Sequence, residues 1–311
     1  MTARRVSRRV ALGVGAGAAA AVAAGGLALL MERGTADADR SLARNAGIAL
    51  KPAPVRYPDP PEAASGRLVS GTFASERAAV AGTTPIDYEI SYPPGTEPGD
   101  RLPVAVLLHG LGRSESTPFD ATLAFNLYQA QAVAEGVPPF AIATVFGAAS
   151  WWHARADGTD AGAMVVDEYL PVLAGRGLRA APADRIALMG WSMGGYGALR
   201  LGGLLGAARV AAVAAMSPAI WPSYPQTAAG AFDSRGDFER NGVFGRQASL
   251  DGIPVRIDCG TGDDLCAFAR LYVRGFTRKP EGGWQPGEHV DGYWRSVAPA
   301  HMRFAGEALA A

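Results

Sequence analysis

The chain has little cysteine, little histidine and little lysine, and the shortage of cysteine excludes whole classes of protein. Of 311 residues only 2 are cysteine and 4 are histidine. Two cysteines exclude a scaffold built on several disulfides and a metal site made of several cysteines. The shortage of lysine, in a chain with 40 glycines, is interpreted as a composition bias without functional content.

An excess of charge of either sign is also missing. Lys+Arg and Asp+Glu both number 29, so the formal net charge is zero. The sequence therefore indicates no nucleic-acid partner and no membrane surface held by charge. Apolar residues are abundant, at 49% of the chain. That is enough for the core of one domain of about 250 residues behind a leader. The oligomeric state stays open.

The first 38 residues have the pattern of an export leader. A positive head with arginines at 4, 5, 8 and 9 precedes an uncharged run over 10–31 and the small-x-small pattern of 36–38. Ser7-Arg8-Arg9 resembles a twin-arginine signal. We predict a signal peptide over 1–38, with an uncleaved membrane anchor through residues 10–31 as the alternative, because the run is about long enough to span a bilayer. Both predict an exported catalytic part, preceded by a linker or N-terminal arm over 39–65.

From residue 66 to residue 311 the sequence alternates strand and helix patterns. Continuous apolar runs such as 102–108 (LPVAVLL) indicate strands buried on both faces. Repeated strand–helix units predict the α/β class, with a mostly parallel central sheet, helices on both faces and ligands at the carboxyl ends of the strands. We predict strands at 66–73, 86–92, 102–108, 140–146, 185–189, 210–216 and 254–259, the first two able to pair antiparallel, and helices at 119–135, 161–174, 193–205, 267–276 and 294–309. Residues 218–252 are predicted to be an irregular insertion over the site.

The motif Gly190-Trp191-Ser192-Met193-Gly194 has the form Gly-x-Ser-x-Gly. This motif places a serine on a sharp strand-to-helix turn, where a Cβ at either glycine would collide with neighbouring elements. The five residues alone are weak evidence, because a chain rich in glycine can contain them by chance. A predicted buried strand before them and a predicted helix after them indicate that Ser192 is a nucleophile.

A serine nucleophile needs a base and an acid, which follow it in the order serine, acid, histidine in one large fold class. Of the two histidines beyond Ser192, His301 lies on the apolar face of the last predicted helix and is expected to be structural. His289 lies in a loop before that helix and is the predicted base. The acid is expected in the loop after strand 254–259, where spacing alone leaves Asp263 and Asp264 as alternatives.

Two backbone N–H groups are expected to hold the oxyanion that forms during acyl transfer. One is the amide of Met193, which directly follows the nucleophile. The other is expected in the loop after strand 102–108, where Leu111 is the predicted donor and Gly110 the alternative. His109 is expected to have a structural role in that loop.

Four segments resemble the esterase D-like family of α/β-hydrolases: LHGLG at 108–112, GWSMGGYGAL at 190–199, DCGTGD at 258–263 and GEHVDGYW at 287–294. That family includes S-formylglutathione hydrolases, feruloyl esterases and mycolyltransferases. The resemblance covers about 66–308 and, with the leader, is typical of exported actinobacterial esterases. It implies the α/β-hydrolase fold, no metal and no organic cofactor.

The resemblance also carries residue roles. It favours Asp263 over Asp264 as the acid and places the second oxyanion donor near Leu111. It places Trp151, Trp152 and His153 at the substrate, although ordinary packing is the alternative for the two tryptophans. It implies a secreted serine esterase acting on a small-molecule or envelope ester. The alternatives are an envelope acyltransferase and a non-catalytic binding protein on the same scaffold.

The two cysteines flank the loop that bears Asp263. A disulfide between Cys259 and Cys266 would stiffen that loop and would suit an oxidising compartment. A buried free Cys259 at the end of a strand is the alternative.

Overall fold

The computed structural model describes residues 55–311. The predicted signal peptide or anchor and most of the predicted linker lie outside the described residues. Val55–Ala311 forms one compact unit. Within that part of the chain, no helix has both the length and the apolarity needed to cross a membrane.

Residues 55–311 contain one sheet of eight strands: β1 Leu68–Ser75, β2 Thr84–Ser91, β3 Val104–Leu108, β4 Ala141–Val145, β5 Ile186–Trp191, β6 Val210–Met216, β7 Val255–Gly260 and β8 Glu281–Gln285. Their order across the sheet is β1-β2-β4-β3-β5-β6-β7-β8. β1 pairs antiparallel with β2 and β2 antiparallel with β4, whereas the pairs from β4 through β8 are parallel. The central strands are apolar along their whole length because helices cover both faces.

Residues 55–311 contain six helical segments: α1 Phe125–Ala134, α2 (Ala161–Ala163, the π-helical turns Met164–Tyr169 and Leu170–Gly175), α3 Met193–Leu205, α4 Arg235–Asn241, α5 Cys266–Val273 and α6 Asp291–Ala310. Five of them pack on the two faces of the sheet, and α4 lies in the segment 218–252. Alternate strand residues point to opposite faces, so β3 sends Ala105 and Leu107 to one core and Val104 and Val106 to the other. α1 and α6 cover the first face, and α2, α3 and α5 cover the second.

The α/β class, the mostly parallel sheet and the antiparallel first pair are confirmed. The predicted helix over 119–135 begins too early, because Phe119 closes a 3₁₀ turn at Thr117–Phe119. The Asp120 carboxylate then accepts the backbone N–H groups of Thr122 and Leu123, which makes a separate turn before α1. β8 is not among the strands predicted from the sequence.

Residues 218–252 form a wall that is fixed to the body of the fold. The segment contains α4 and 3₁₀ turns at Tyr224–Gln226 and Gln247–Leu250. His153 Nε2 lies 3.3 Å from Asp237 Oδ2, and the Tyr196 hydroxyl donates to the Asn241 carbonyl at 2.9 Å. These polar groups are buried. Removing one partner of either bond would therefore leave the other unpaired in the core, which costs more stability than the loss of a surface bond.

Candidate active site

The nucleophile motif forms a sharp turn between β5 and α3. Ser192 has φ 53° and ψ −119°, a backbone conformation with positive φ that residues other than glycine rarely adopt. A Cβ on Gly190 would lie 2.3 Å from the Gly194 carbonyl oxygen, and a Cβ on Gly194 would lie 1.9 Å from the Leu108 carbonyl oxygen. Both positions therefore require glycine, as the motif predicts. The turn presents the Ser192 hydroxyl at the carboxyl edge of the sheet.

Ser192, His289 and Asp263 form a continuous hydrogen-bonded chain. Ser192 Oγ donates to His289 Nε2 at 2.9 Å, and His289 Nδ1 donates to Asp263 Oδ2 at 2.8 Å. The side chain of Asp263 is 1% exposed and that of His289 is 35% exposed. A buried acid, an oriented imidazole and an accessible hydroxyl are the arrangement by which a serine is activated as a nucleophile.

The structure distinguishes between the two aspartates that spacing left open. Asp263 points into the fold, where its Oδ1 accepts the Leu265 N–H at 2.9 Å, whereas Asp264 is exposed. Burial alone would raise the pKa of Asp263. The hydrogen bond and charge of His289, with the Leu265 N–H, outweigh that effect and lower it. Asp263 is therefore ionised near neutral pH and can orient His289.

The loop that bears the acid and the loop that bears the histidine are fastened to each other. β7 and β8 pair in parallel, and the pairing continues beyond the strand ends. The Thr261 N–H donates to the Gln285 carbonyl and the Gly262 N–H to the Gly287 carbonyl, both at 2.8 Å. Because a Cβ on Gly260 would lie 2.3 Å from the Gly287 carbonyl, the two loops approach through a glycine. β8 thus carries the chain from the acid to His289.

His301 and Asp258 form a separate buried pair. His301 Nε2 lies 3.0 Å from Asp258 Oδ2, and both side chains are 0% exposed. Burial would raise the pKa of Asp258, but the bond to His301 and the charge of Arg256 lower it to about 2. The pair ties α6 to β7 inside the core. This is the structural position expected for His301.

The predicted oxyanion loop lies directly against the nucleophile. A Cβ on Gly110 would lie 3.4 Å from Ser192 Cβ. The buried His109 holds the loop, because its Nδ1 donates to the Gly110 carbonyl at 2.8 Å and its Nε2 accepts the Gly147 N–H at 2.9 Å. Met193 is the first residue of α3, whose first N–H groups have no partner within the helix. The oxyanion roles of Leu111 and Met193 stay predictions.

Trp151, Trp152 and His153 lie in the core beneath the site. Their exposures are 4%, 0% and 0%. Trp152 packs its ring against Gly147 and Gly197, where an added Cβ would clash with the indole. This burial favours the packing alternative for both tryptophans, and His153 anchors the wall through Asp237. The predicted contact of these residues with substrate stays a prediction.

Sequence reasoning missed an ion pair beside the site. Arg113, just after the oxyanion loop, donates to both carboxylate oxygens of Asp291 at 2.8 and 2.9 Å. Asp291 begins α6, two residues after His289. Opposite charges 178 residues apart give no signal in one sequence. The exposed side chains of Leu111 (49%) and Val290 (38%) belong to these same two loops, so the rim is partly apolar.

Cys259 and Cys266 are free thiols in the structure, and both are buried. Burial raises the pKa of Cys259, which keeps it protonated. Across residues 55–311, no three His, Cys, Asp or Glu side chains converge as a metal site requires.

Three buried histidines predict how stability depends on pH. Burial lowers the pKa of His109 from 6.5 to about 4, and burial also lowers the pKa of His153 and of His301. Below pH 6.5 the unfolded chain therefore binds protons that the folded chain does not, and stability falls as the pH falls. His109 alone accounts for a loss of ~2.5 kcal/mol by pH 4.5.

Urea unfolding at intervals from pH 7.5 to pH 4.5 measures this loss. The window stays above 3.8, the ordinary pKa of aspartate, below which Asp258 and Asp263 lose their own contribution to stability. A free energy of unfolding that does not change across the window contradicts the prediction.

The fold and the turn at Ser192 together define the structural class of the protein. A mostly parallel eight-stranded sheet, with a serine on a strand-to-helix turn and an acid and histidine after later strands, is the α/β-hydrolase fold. A family model described as "Putative esterase" matches residues 82–278. The chain belongs to this esterase family, as the resemblance noted in the sequence implies.

Solved structures show the same fold at low identity. A ferulic acid esterase has a TM-score of 0.65 and 21% identity, covering 79% of this chain and 100% of its own. A fluorophosphonate-binding serine hydrolase of Staphylococcus aureus has a TM-score of 0.60 and 18% identity, covering 78% and 99%. The S-formylglutathione hydrolase of Agrobacterium tumefaciens has a TM-score of 0.60 and 17% identity, covering 79% and 96%. A comparison with curated protein sequences gives no significant match.

Proposed function

We propose that this protein is an exported serine esterase that hydrolyses carboxylic esters through an acyl-enzyme on Ser192. The observation that carries the proposal is the hydrogen-bonded chain from Ser192 through His289 to the buried Asp263. Family membership supports the ester as the bond that is cleaved. The leader pattern over residues 1–38 supports export.

In the first half-reaction Ser192 Oγ attacks the ester carbonyl carbon while its proton passes to His289 Nε2. Asp263 stabilises the resulting imidazolium through the bond to His289 Nδ1. The amides of Met193 and Leu111 hold the oxyanion of the tetrahedral intermediate. The intermediate collapses, the C–O bond to the alcohol breaks, and the alcohol leaves with the proton from His289.

In the second half-reaction water replaces the alcohol. His289 Nε2 takes a proton from the water as its oxygen attacks the acyl carbonyl. A second tetrahedral intermediate forms in the same oxyanion site and expels Ser192 Oγ, which regains the proton. The products are the carboxylic acid and the free enzyme. The accessible edge of His289, 35% exposed, leaves room for this water.

A fluorophosphonate probe tests the proposed nucleophile directly. The probe phosphonylates an activated serine and releases fluoride, and intact mass should show one adduct on a peptide containing Ser192. Ser192→Ala should bind no probe, and Ser150→Ala, which changes a partly buried serine of the neighbouring loop, should label like the wild type. Equal labelling of the wild type and Ser192→Ala would overturn the proposal.

A panel of p-nitrophenyl esters then defines the acyl group. The apolar rim at Leu111 and Val290 predicts that kcat/KM rises from acetate to butyrate, because burial of each CH₂ stabilises by about 0.8 kcal/mol. Full burial would give a roughly fourfold rise per CH₂. A steady fall in kcat/KM with chain length contradicts this part of the proposal.

A further inference from the structure

The end of the N-terminal arm, Val55–Pro61, lies against the first turns of α6. The Glu288 N–H donates to the Tyr57 hydroxyl oxygen at 3.0 Å. The Tyr57 ring covers Gly292 so closely that a Cβ there would lie 2.3 Å from Tyr57 Cδ2. Arg295 Nε fixes the arm beyond this point by donating to the Pro58 carbonyl at 2.9 Å.

Both contacts of Tyr57 flank His289. Glu288 precedes the histidine directly, and Gly292 lies three residues after it, in the first turn of α6. The other side of the histidine loop is held by the bond from the Gly262 N–H to the Gly287 carbonyl. Glu288, His289 and Val290 are exposed, and the His289 ring packs edge-on against the buried Trp294 with the ring centroids 5.1 Å apart. The Arg113–Asp291 ion pair holds the start of α6, and the arm supplies a further support directly beside His289.

We infer that the arm is a positioning element for the reaction and that it acts on His289 through the Tyr57 hydroxyl. The inference rests on the proposed function, in which His289 must hold its proton-accepting nitrogen against Ser192. A displacement of about 1 Å at a reacting group can cost about 100-fold in rate. Tyr57 is a positioning residue because it touches the backbone beside His289 and not the reacting atoms.

The arm lies between the predicted cleavage pattern and the catalytic domain, so the point of cleavage decides whether Tyr57 is retained. Cleavage after the predicted small-x-small pattern at 36–38 keeps Tyr57 on the mature enzyme. Trimming past residue 57 removes it. The folded body would then keep Ser192, His289 and Asp263 but lose the support that Tyr57 gives to the histidine loop, so we expect such a product to be folded and slow.

Two substitutions in the full chain separate the hydroxyl from the ring. Tyr57→Phe keeps the ring over Gly292 and removes the acceptor, and we expect kcat and the rate of fluorophosphonate labelling to fall together by about 3- to 10-fold, the range of one hydrogen bond. Tyr57→Ala also removes the ring, and we expect a fall of about 10- to 100-fold. KM should stay within about twofold, because the arm contributes no predicted substrate-binding group.

Tyr128→Phe is the matched control. The Tyr128 hydroxyl contacts the Asp59 carbonyl of the same arm at 3.5 Å, too long to matter, so kcat should not change. Active-site titration with the fluorophosphonate probe counts the molecules whose Ser192 is reactive, and the Tm of each variant shows whether it is folded.

Wild-type kcat in both Tyr57 variants overturns the inference. It is also overturned if the activity falls only because fewer molecules react with the probe, while kcat per reactive molecule stays at the wild-type value. If the wild type fails to label, the proposed function itself fails, which distinguishes the two results.

Discussion

Replacing Asp263 by asparagine is expected to lower kcat about 10³- to 10⁴-fold while the protein stays folded. The amide keeps the shape of the carboxylate, but it presents an N–H where His289 Nδ1 needs an acceptor. The imidazole then adopts the tautomer that cannot take the Ser192 proton, and no negative charge balances the imidazolium. Steady-state hydrolysis of a p-nitrophenyl ester by the purified variant measures the loss.

Asp264→Asn is the matched control because it makes the same chemical change one residue further along the same loop. Asp264 is exposed, whereas Asp263 points into the fold. We expect kcat of this variant to stay within twofold of the wild type. A large loss in Asp264→Asn together with a small one in Asp263→Asn would show that the acid is assigned to the wrong aspartate.

Replacing Gly194 by alanine is expected to destabilise the protein by at least ~3 kcal/mol, the upper part of the range for overpacked sites. The added Cβ would meet the carbonyl oxygens of Leu108 and His109 at 1.9 and 2.8 Å. Both are backbone atoms of β3 and its exit loop, so relief requires α3 and the oxyanion loop to move apart. For a domain of this size the loss corresponds to about 6–12 °C in Tm.

Gly175→Ala is the control for a glycine in a helix without crowding. Gly175 ends α2, and no atom lies within 4 Å of an added Cβ. We expect a change between zero and a gain of about 1 kcal/mol, because alanine restricts the unfolded chain. Differential scanning calorimetry of both variants measures the contrast, and a normal Tm in Gly194→Ala contradicts the proposed packing of the turn.

What the sequence predicts well is what depends on local pattern. The strand before Ser192 is a continuous apolar run, and the spacing of apolar residues after it indicates a helix. The placement of His289 in a loop and of His301 on a helix face depends on the same periodicity. The structure places both histidines accordingly, with His301 buried against Asp258.

What it predicts poorly depends on pairing across long separations. β8 has the sequence EGGWQ, without the β-branched residues that favour a strand, and it is extended because β7 pairs with it. His153 and Asp237 are 84 residues apart, so neither indicates the other. Tyr57 lies in a segment of proline and charge that resembles a linker until its contact with Glu288 is seen.

Asp263 and Asp264 show a third kind of limit. Spacing along the chain brings both to the same loop, and only the side to which each carboxylate turns separates them. That direction follows from the Leu265 N–H that Asp263 accepts and from the histidine it faces. Neither contact can be inferred from residue order.

The pairing of β7 with β8 joins the Asp263 and His289 loops to each other but not to Ser192. Asp263 and His289 follow two strands that pair with each other, whereas Ser192 is carried by β5 and α3. Relative movement of these two supports would therefore change the 2.9 Å contact of Ser192 with His289 before the 2.8 Å contact of His289 with Asp263. A bulky inhibitor wedged into the site would open the first contact and leave the second intact.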